Sequence, residues 1–375
     1  MPRPEGEWLP LLAKMRAATG LKLMHAGRIS TPEMAERTLA DGLTDIVCMT
    51  KTHICDPHFT RKVFENRLPE IRYCTRCLQA CHGTMGRMTC VYNPLTSREQ
   101  EWSELKPATK PKRVVVVGGG PAGMEAALNA ARRGHAVIVL ERESRVGGQV
   151  WTGAASPLRR NWGRIAEFYE RQAASGLFEV RSGVEATPEA VLALEPDAVI
   201  IATGSRPLRL QIPGGPEALT IHEVVAGAAG EAKRVLIYDT EGFNRSVVAA
   251  DYLSSRGVEV EVVTPLPNLW PLVEGMMRDE IAEQLQKRGV RFAAGERLVG
   301  WEGSGRLLLR SVRTARERVV EGVDRVVGTI GSEAVDTLSA ALRGHVPELH
   351  VIGDANLPQT VEDATYQGAR IGRLL

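Results

Sequence analysis

Four of the six cysteines stand close enough together in the chain to share one inorganic group. Cys74, Cys77, Cys81 and Cys90 form C-x2-C-x3-C-x8-C, whereas Cys48 (on a strand) and Cys55 (in a loop) read as unliganded thiols. Four thiolates from one short loop can wrap a 4Fe–4S cube. A structural zinc could use the same four sulfurs. Its usual form is two C-x2-C pairs, and only Cys74 and Cys77 fit that form. The spacing therefore favours iron and sulfide. Arg76 and Arg87 would offset an anionic cluster or simply sit in solvent, and His82 reads as a solvated loop histidine.

Glycine spacing is the second chemical signature. Gly118, Gly120 and Gly123 stand at G-x-G-x-x-G, after a valine run from 114 to 117 and before a helix opening at Pro121 and Ala122. In such a loop the first glycine permits the tight turn. The second lets the backbone approach a pyrophosphate, and the third lets helix pack on strand. The helix N-terminus adds partial positive charge. Glu141, about 20 residues on, is placed to accept from a ribose 2′-hydroxyl, and its charge would repel a 2′-phosphate. Arg142 follows it directly. Later strands end in Ala202-Thr203-Gly204 and in Gly353-Asp354. A second strand–loop–helix unit starts at Arg234, but its three glycine positions hold Asp239, Glu241 and Asn244. Carboxylates at a helix N-terminus would occupy the anion site and repel a pyrophosphate. This unit reads as a dinucleotide-type domain without its nucleotide; NADH held in an unusual way is the alternative.

The elements that must position these residues alternate between helix and strand, which predicts an α/β fold with parallel sheets. Helices are expected over 8–18, 31–40 and 58–66, with strands over 21–25 and 45–49 between them. Two such strand–turn–helix units match the last two units of a (β/α)8 barrel, whose loops after strands seven and eight commonly hold a phosphate. Gly27, Arg28 and Lys51 could then grip an FMN phosphate. A polar linker spans 97–112. Beyond it the expected elements are strand 113–117, helix 121–133, strand 135–140, strand 234–238, helix 244–256, strand 258–263, strand 349–352 and helix 362–374. The domain reading is a barrel end over 1–73 and a cluster segment over 74–104. A Rossmann-like dinucleotide-type domain follows over 113–205 and 321–375, with a second Rossmann-like domain inserted over 206–320.

Composition mainly excludes partners. Length 375 suits two or three domains, and 37 glycines suit many tight βα turns. Forty-seven basic against 45 acidic residues give a net charge of +2, too small a field to drive nucleic-acid or acidic-membrane binding. No apolar run approaches the ~20 residues of a membrane helix, and the first residues lack a signal-peptide core. A cytoplasmic protein is expected.

Barrel end, cysteine cluster and FAD-type domain with an insert occur in one known order. The chain resembles, over essentially all its length, the trimethylamine dehydrogenase and 2,4-dienoyl-CoA reductase group, the iron–sulfur members of the old yellow enzyme family. Specific carriers are the segments 25–29, 56–58, 70–74, 90–94 and 118–123, together with Gly147-Gly148-Gln149 and Ala202-Thr203-Gly204. The resemblance implies FMN in the complete barrel, a 4Fe–4S cluster beside it, and FAD or ADP in the C-terminal part. It places Gly353, Asp354 and the start of the last helix at the ribityl-phosphate side of that site. It also implies a small-molecule substrate, with electrons passing from FMN through the cluster to a carrier protein. The Asp239/Glu241 loop resembles the amine-dehydrogenase branch, which uses a separate electron-transfer flavoprotein. Segments 25–28 and 52–58 look closest to members that demethylate N-methylated amines. The alternatives are NAD(P)H-driven reduction of an activated double bond, and an electron-transfer subunit without its own substrate site. A disulfide reductase is disfavoured, since no C-x-x-C lies near the FAD segments. The chain departs from the family at Thr50-Lys51, where Gly-Arg is usual, and in the shorter last cysteine gap. A barrel needs eight strands and two are legible. Catalytic residues therefore stay unassigned, a fragment of a longer product is expected, and a homo-oligomer of the full-length enzyme is left open.

Overall fold

The computed structural model describes residues 3–83, 86–102 and 104–375. It opens with helix Leu9–Ala18, strand β1 (Met24–His25), helix Pro32–Ala40, strand β2 (Ile46–Val47) and helices Thr50–Cys55 and Phe59–Phe64. β1 and β2 are parallel, with Met24 opposite Ile46, and make up a two-stranded sheet. Both are shorter than the expected 21–25 and 45–49. The Asp45 carboxylate takes the Leu23 N–H at 2.8 Å, ending the ladder there. Among the described residues no closed barrel is present. Helix Thr50–Cys55 was expected as a loop. It lacks a capping side chain at Met49, so nothing local announces it. Its buried Thr52 and Cys55, three apart on one face, tie it to the core.

The first large sheet contains β3 (Arg113–Val117), β4 (Ala136–Glu141), β5 (Glu179–Ser182), β6 (Ala198–Ile201) and β16 (Glu348–Val351). Its order is β16-β6-β3-β4-β5, all parallel, the doubly wound pattern of a dinucleotide-binding half. Val114–Val117 and Ala198–Ile201 are buried along their whole length, as strands covered by helices on both faces must be. The last helix, Val361–Leu374, lies against helix Pro121–Arg132 at backbone distance. A Cβ at Gly368 would stand 2.2 Å from the Ala122 carbonyl oxygen, and one at Gly372 2.5 Å from that of Ala126.

The second sheet holds β8 (Arg234–Asp239), β9 (Glu259–Thr264), β10 (Arg291–Ala294) and β14 (Arg325–Thr329), in the order β10-β9-β8-β14. β14 lies beyond the insert boundary expected at 320 because it hydrogen-bonds β8, with Thr329 opposite Asp239. An antiparallel meander of β11 (Glu296–Trp301), β12 (Leu307–Ser311) and β13 (Glu317–Val320) precedes it. The chain leaves the first unit along β7 (Ser205–Pro207) and returns along β15 (Ser332–Ala334). These pair antiparallel and form a two-stranded connection. No helix among the described residues is long and apolar enough to cross a membrane.

Candidate functional site

At the end of β3 the backbone turns at Gly118 with φ +106°, a conformation that costs glycine least. A Cβ there would lie 2.3 Å from the Ala202 carbonyl oxygen, so the turn is pressed onto the end of β6. At Gly123 a Cβ would meet the Gly118 carbonyl oxygen at 2.0 Å. Gly120 differs: no heavy atom lies within 4 Å of where its Cβ would be. That opening faces the N-terminus of helix Pro121–Arg132, which no side chain caps, leaving its first N–H groups for an anion. The Glu141 side chain is buried. Oε2 accepts the Gly119 N–H at 2.6 Å and Oε1 the Glu143 N–H at 2.8 Å. A carboxylate has about four lone-pair positions, so acceptor capacity remains for ribose hydroxyls. Arg142 is exposed and pairs with Glu143 at 3.2 Å.

Three distant segments meet beside this loop. Gly148, at φ +53°, would place a Cβ 3.3 Å from the Gly120 Cα. Gln149 Nε2 donates to the Ser205 carbonyl at 3.0 Å and to its Oγ at 3.1 Å. Ser205 Oγ in turn donates to Asp354 Oδ2 at 2.8 Å. Gly353, at φ +61°, donates its N–H to Gln367 Oε1 at 2.8 Å, and the Thr203 hydroxyl donates to the Val335 carbonyl. This polar network lies outside the carboxyl ends of β6 and β16, next to β3, where open α/β sheets bind their ligands. Ser205 had no spacing signal; only the convergence of the segments reveals it.

In the second unit a buried carboxylate stands at the end of β8. Asp239 is 1% exposed. Its Oδ1 accepts the N–H groups of Glu241 and Gly242 at 3.1 and 3.2 Å and the Thr329 hydroxyl at 2.9 Å; Oδ2 accepts the Ser246 hydroxyl at 2.8 Å. Burial pushes this carboxyl above the usual aspartate range, against those hydrogen bonds. Glu241 pairs with Arg245 at 2.6 Å, and Asn244 accepts from Arg159.

Cys74, Cys77, Cys81 and Cys90 line one cavity, along with Lys51, Ile54, Cys55, Leu78, Ala80 and Val91. Cys74, Cys77 and Cys90 pack on the core of the first unit, and Cys81 on the core of the second. The cysteine segment therefore sits between both units. Soft sulfur donors with apolar neighbours suit an iron–sulfur group or zinc. Burial pushes the Cys74 thiol up to about 12 and the Cys81 thiol up to about 11, and raises Cys77. Cys90 moves down, first through a hydrogen bond from Cys55 and then, against burial, through the N–H groups of Tyr92 and Asn93. A bound metal would reverse the burial cost by supplying the opposite charge. Among the described residues, no three His, Cys, Asp or Glu side chains converge closely enough to share one metal ion.

The charged residues around the cavity differ in exposure. Arg76 is buried on its wall and pairs with Glu5 at 3.3 Å. Arg87 is exposed and donates to the Ser97 carbonyl. His82 is exposed but linked to Glu274 at 3.1 Å. Arg159, which the spacing did not single out, is 7% exposed with its Nε unpaired. Burial lowers its pKa to about 10, opposed by nearby Cys77 and Asp251. Behind the cavity Arg72 forms a buried ion pair with Glu125 at 2.9 Å, and its N–H reaches Asp56 at 3.0 Å. This pair joins the N-terminal unit and the cysteine segment to the glycine-loop helix. Gly27, Arg28 and Lys51 follow the adjacent strands β1 and β2. Arg28 faces Glu7 at 3.8 Å and Glu280 at 4.0 Å, the His25 ring covers Gly27, and Lys51 lies on the cysteine cavity.

Residues 113–199 match the family described as FAD dependent oxidoreductase, and residues 170–368 match pyridine nucleotide-disulphide oxidoreductase. The chain is 33% identical to the NADH oxidase of Thermoanaerobacter brockii, across 98% of this chain and 58% of that protein. It is 34% identical to a probable N-methylproline demethylase of Rhizobium meliloti (strain 1021), across 97% of this chain and 56% of the relative. It matches the solved structure of histamine dehydrogenase from Rhizobium sp. 4-9 with a TM-score of 0.91 at 25% identity, over 100% of this chain and 58% of that one. The chain thus spans less than two thirds of each relative. The resemblance to the trimethylamine dehydrogenase and 2,4-dienoyl-CoA reductase group is borne out by these matches. Since the second family match alone covers more than half of the residues, the chain belongs to the pyridine nucleotide-disulphide oxidoreductase family.

Proposed function

We propose that this chain is the cluster- and adenine-dinucleotide-binding part of an amine dehydrogenase or N-demethylase-like oxidoreductase. The observation that carries the reading is the cavity in which all four spaced cysteines meet, between the core of the glycine-loop unit and that of its insert. The C-x2-C-x3-C-x8-C spacing, with only one C-x2-C pair, favours an iron–sulfur group over a structural zinc. An iron–sulfur cluster and a flavin, when bound, supply single-electron and hydride chemistry; the protein supplies binding, orientation and electrostatics. Cys74, Cys77, Cys81 and Cys90 would hold the cluster. Gly118, Gly120, Gly123 and Glu141 would hold the adenosine side of FAD or ADP, with Gln149, Ser205 and Asp354 aligned on the flavin side. Gly27, Arg28 and Lys51 belong to the part that would meet FMN in the whole barrel. Asp239 in the anion site of the second unit argues against NAD(P)H as the electron source. It favours an amine substrate and a separate electron-carrier protein, in a reducing cytoplasm that keeps thiols free.

Reconstitution of the chain with iron and sulfide tests the reading. About four irons per chain are expected, with a paramagnetic signal on reduction and tight binding of FAD or ADP. NADH and NADPH should give no binding heat. Uptake of one zinc and no iron would sink the cluster assignment. Micromolar NADPH binding would instead support the reductase alternative.

A further inference from the structure

Three of the four spaced cysteines pack on the core of the first unit, but Cys81 packs on that of the insert. A tight turn carries it. The N–H groups of His82 and Gly83 both donate to the Leu78 carbonyl, at 3.2 and 3.0 Å, and Leu78, 1% exposed, is itself part of the insert core. One side chain of the insert closes over this turn. Glu274, its side chain 7% exposed, stands at the start of helix Gly275–Lys287. Its Oε1 accepts the Met276 N–H at 3.2 Å and its Oε2 the Met277 N–H at 2.9 Å, which caps the helix. Oε1 also lies 3.1 Å from His82 Nδ1. A carboxylate only accepts, so this ring nitrogen carries the hydrogen. The stem of Glu274 lies against Gly83, where a Cβ would stand 3.1 Å from the Glu274 Cγ and 2.7 Å from the Gln79 carbonyl oxygen. The helix is tied down again further along, where Glu280 pairs with Arg3 at 2.7 Å.

We propose that Glu274 is a positioning residue: through His82 and Gly83 it holds the turn that carries Cys81, so that the insert fixes one corner of a cluster in this cavity. The inference rests on the cluster reading above. A cube held by four thiolates has one iron at each of them. Cys74, Cys77 and Cys90 take their support from the first unit, so slackening of the turn falls first on the iron at Cys81. A ligand that loses its supporting contacts holds its metal roughly 10–100-fold less tightly. The insert thereby has a task that needs no nucleotide.

The test oxidises the iron-loaded chain and its variants with ferricyanide. Ferricyanide takes up an electron, a ferrous ion leaves to a chelator, and the freed thiolate is trapped by an alkylating agent. Electron paramagnetic resonance reads the three-iron cluster left behind. His82→Ala and Glu274→Ser should each release that iron about tenfold faster than the parent, with the alkyl label on Cys81 by mass spectrometry. Serine still caps a helix but is too short to reach His82, so Glu274→Ser separates capping from positioning and should melt near the parent. Glu274→Gln keeps an acceptor oxygen and should release iron at the parent's rate. The double variant His82→Ala/Glu274→Ser should be no faster than Glu274→Ser alone, because both changes remove the same contact. Release at the parent's rate in both single variants, additive effects, or a label on Cys74, Cys77 or Cys90 instead would overturn the proposal. A parent chain that binds no iron would overturn the cluster reading and this proposal with it.

Discussion

Gly120 and Gly123 stand three residues apart and have opposite tolerance for a methyl group. At Gly123 a Cβ would strike the Gly118 carbonyl oxygen at 2.0 Å, whereas at Gly120 it would meet nothing within 4 Å. Gly123→Ala should therefore destabilise the fold by about 1–3 kcal/mol through overpacking and weaken nucleotide binding with it. Gly120→Ala should leave the melting temperature unchanged and still weaken FAD or ADP binding at least tenfold, because its methyl projects into the space a pyrophosphate needs. Calorimetric melting and titration of each variant separate the two roles. The glycines and the four cysteines were legible from spacing because both patterns are local. Cys55, Ser205 and Arg159 were not, since each gains its place from a partner at least 38 residues away in sequence.

Elements fail or succeed by what they dock against. Glu5 ties the N-terminal segment to the rest: it accepts from Ser30 at 2.6 Å and pairs with Arg164 at 3.1 Å and Arg76 at 3.3 Å. Burial works to raise its carboxyl, but the Ser30 hydrogen bond and the charges of Arg164 and Arg76 outweigh it and hold the carboxyl below the ordinary value of 4.5. A depressed carboxylate stabilises the folded state above its unfolded pKa, and that contribution disappears as pH falls through the folded value. Docking of the segment should accordingly hold at pH 7 and loosen below about pH 4.5. Glu5→Gln should cost about 1–3 kcal/mol at pH 7 and flatten the pH dependence. Hydrogen exchange over residues 24–47 at pH 7 and pH 4 reads both effects. The alternation of strand and helix after residue 112 was legible because strands such as Val114–Val117 are apolar throughout. The strands of the N-terminal unit came out shorter than their apolar runs because each has one neighbour, and a ladder ends where its partner does.

At the scale of the whole molecule the N-terminal unit leaves an apolar face uncovered. Trp8, the residue that precedes helix Leu9–Ala18, and Leu11 and Met15 within it are exposed, and the cross-strand neighbours Met24 and Ile46 are 67% and 49% exposed. A two-stranded sheet with open edges and such a patch invites edge pairing. The isolated chain should self-associate with rising concentration. Met24→Lys combined with Ile46→Lys should return it to a monomer without changing nucleotide binding; sedimentation velocity decides this, and an unchanged distribution would count against the patch as the cause. By itself the sequence determined the α/β class, the glycine loop, the cysteine set and the acidic residues in the second unit's loop, because these depend on residue types at short, regular spacings. Only the tertiary structure decided that the cysteine segment sits between the two units, that β14 belongs to the insert, that the Asp239 carboxylate accepts the loop N–H groups of Glu241 and Gly242, and that Cys55 joins the cavity. Such facts depend on which distant surfaces meet, and local spacing carries no record of that.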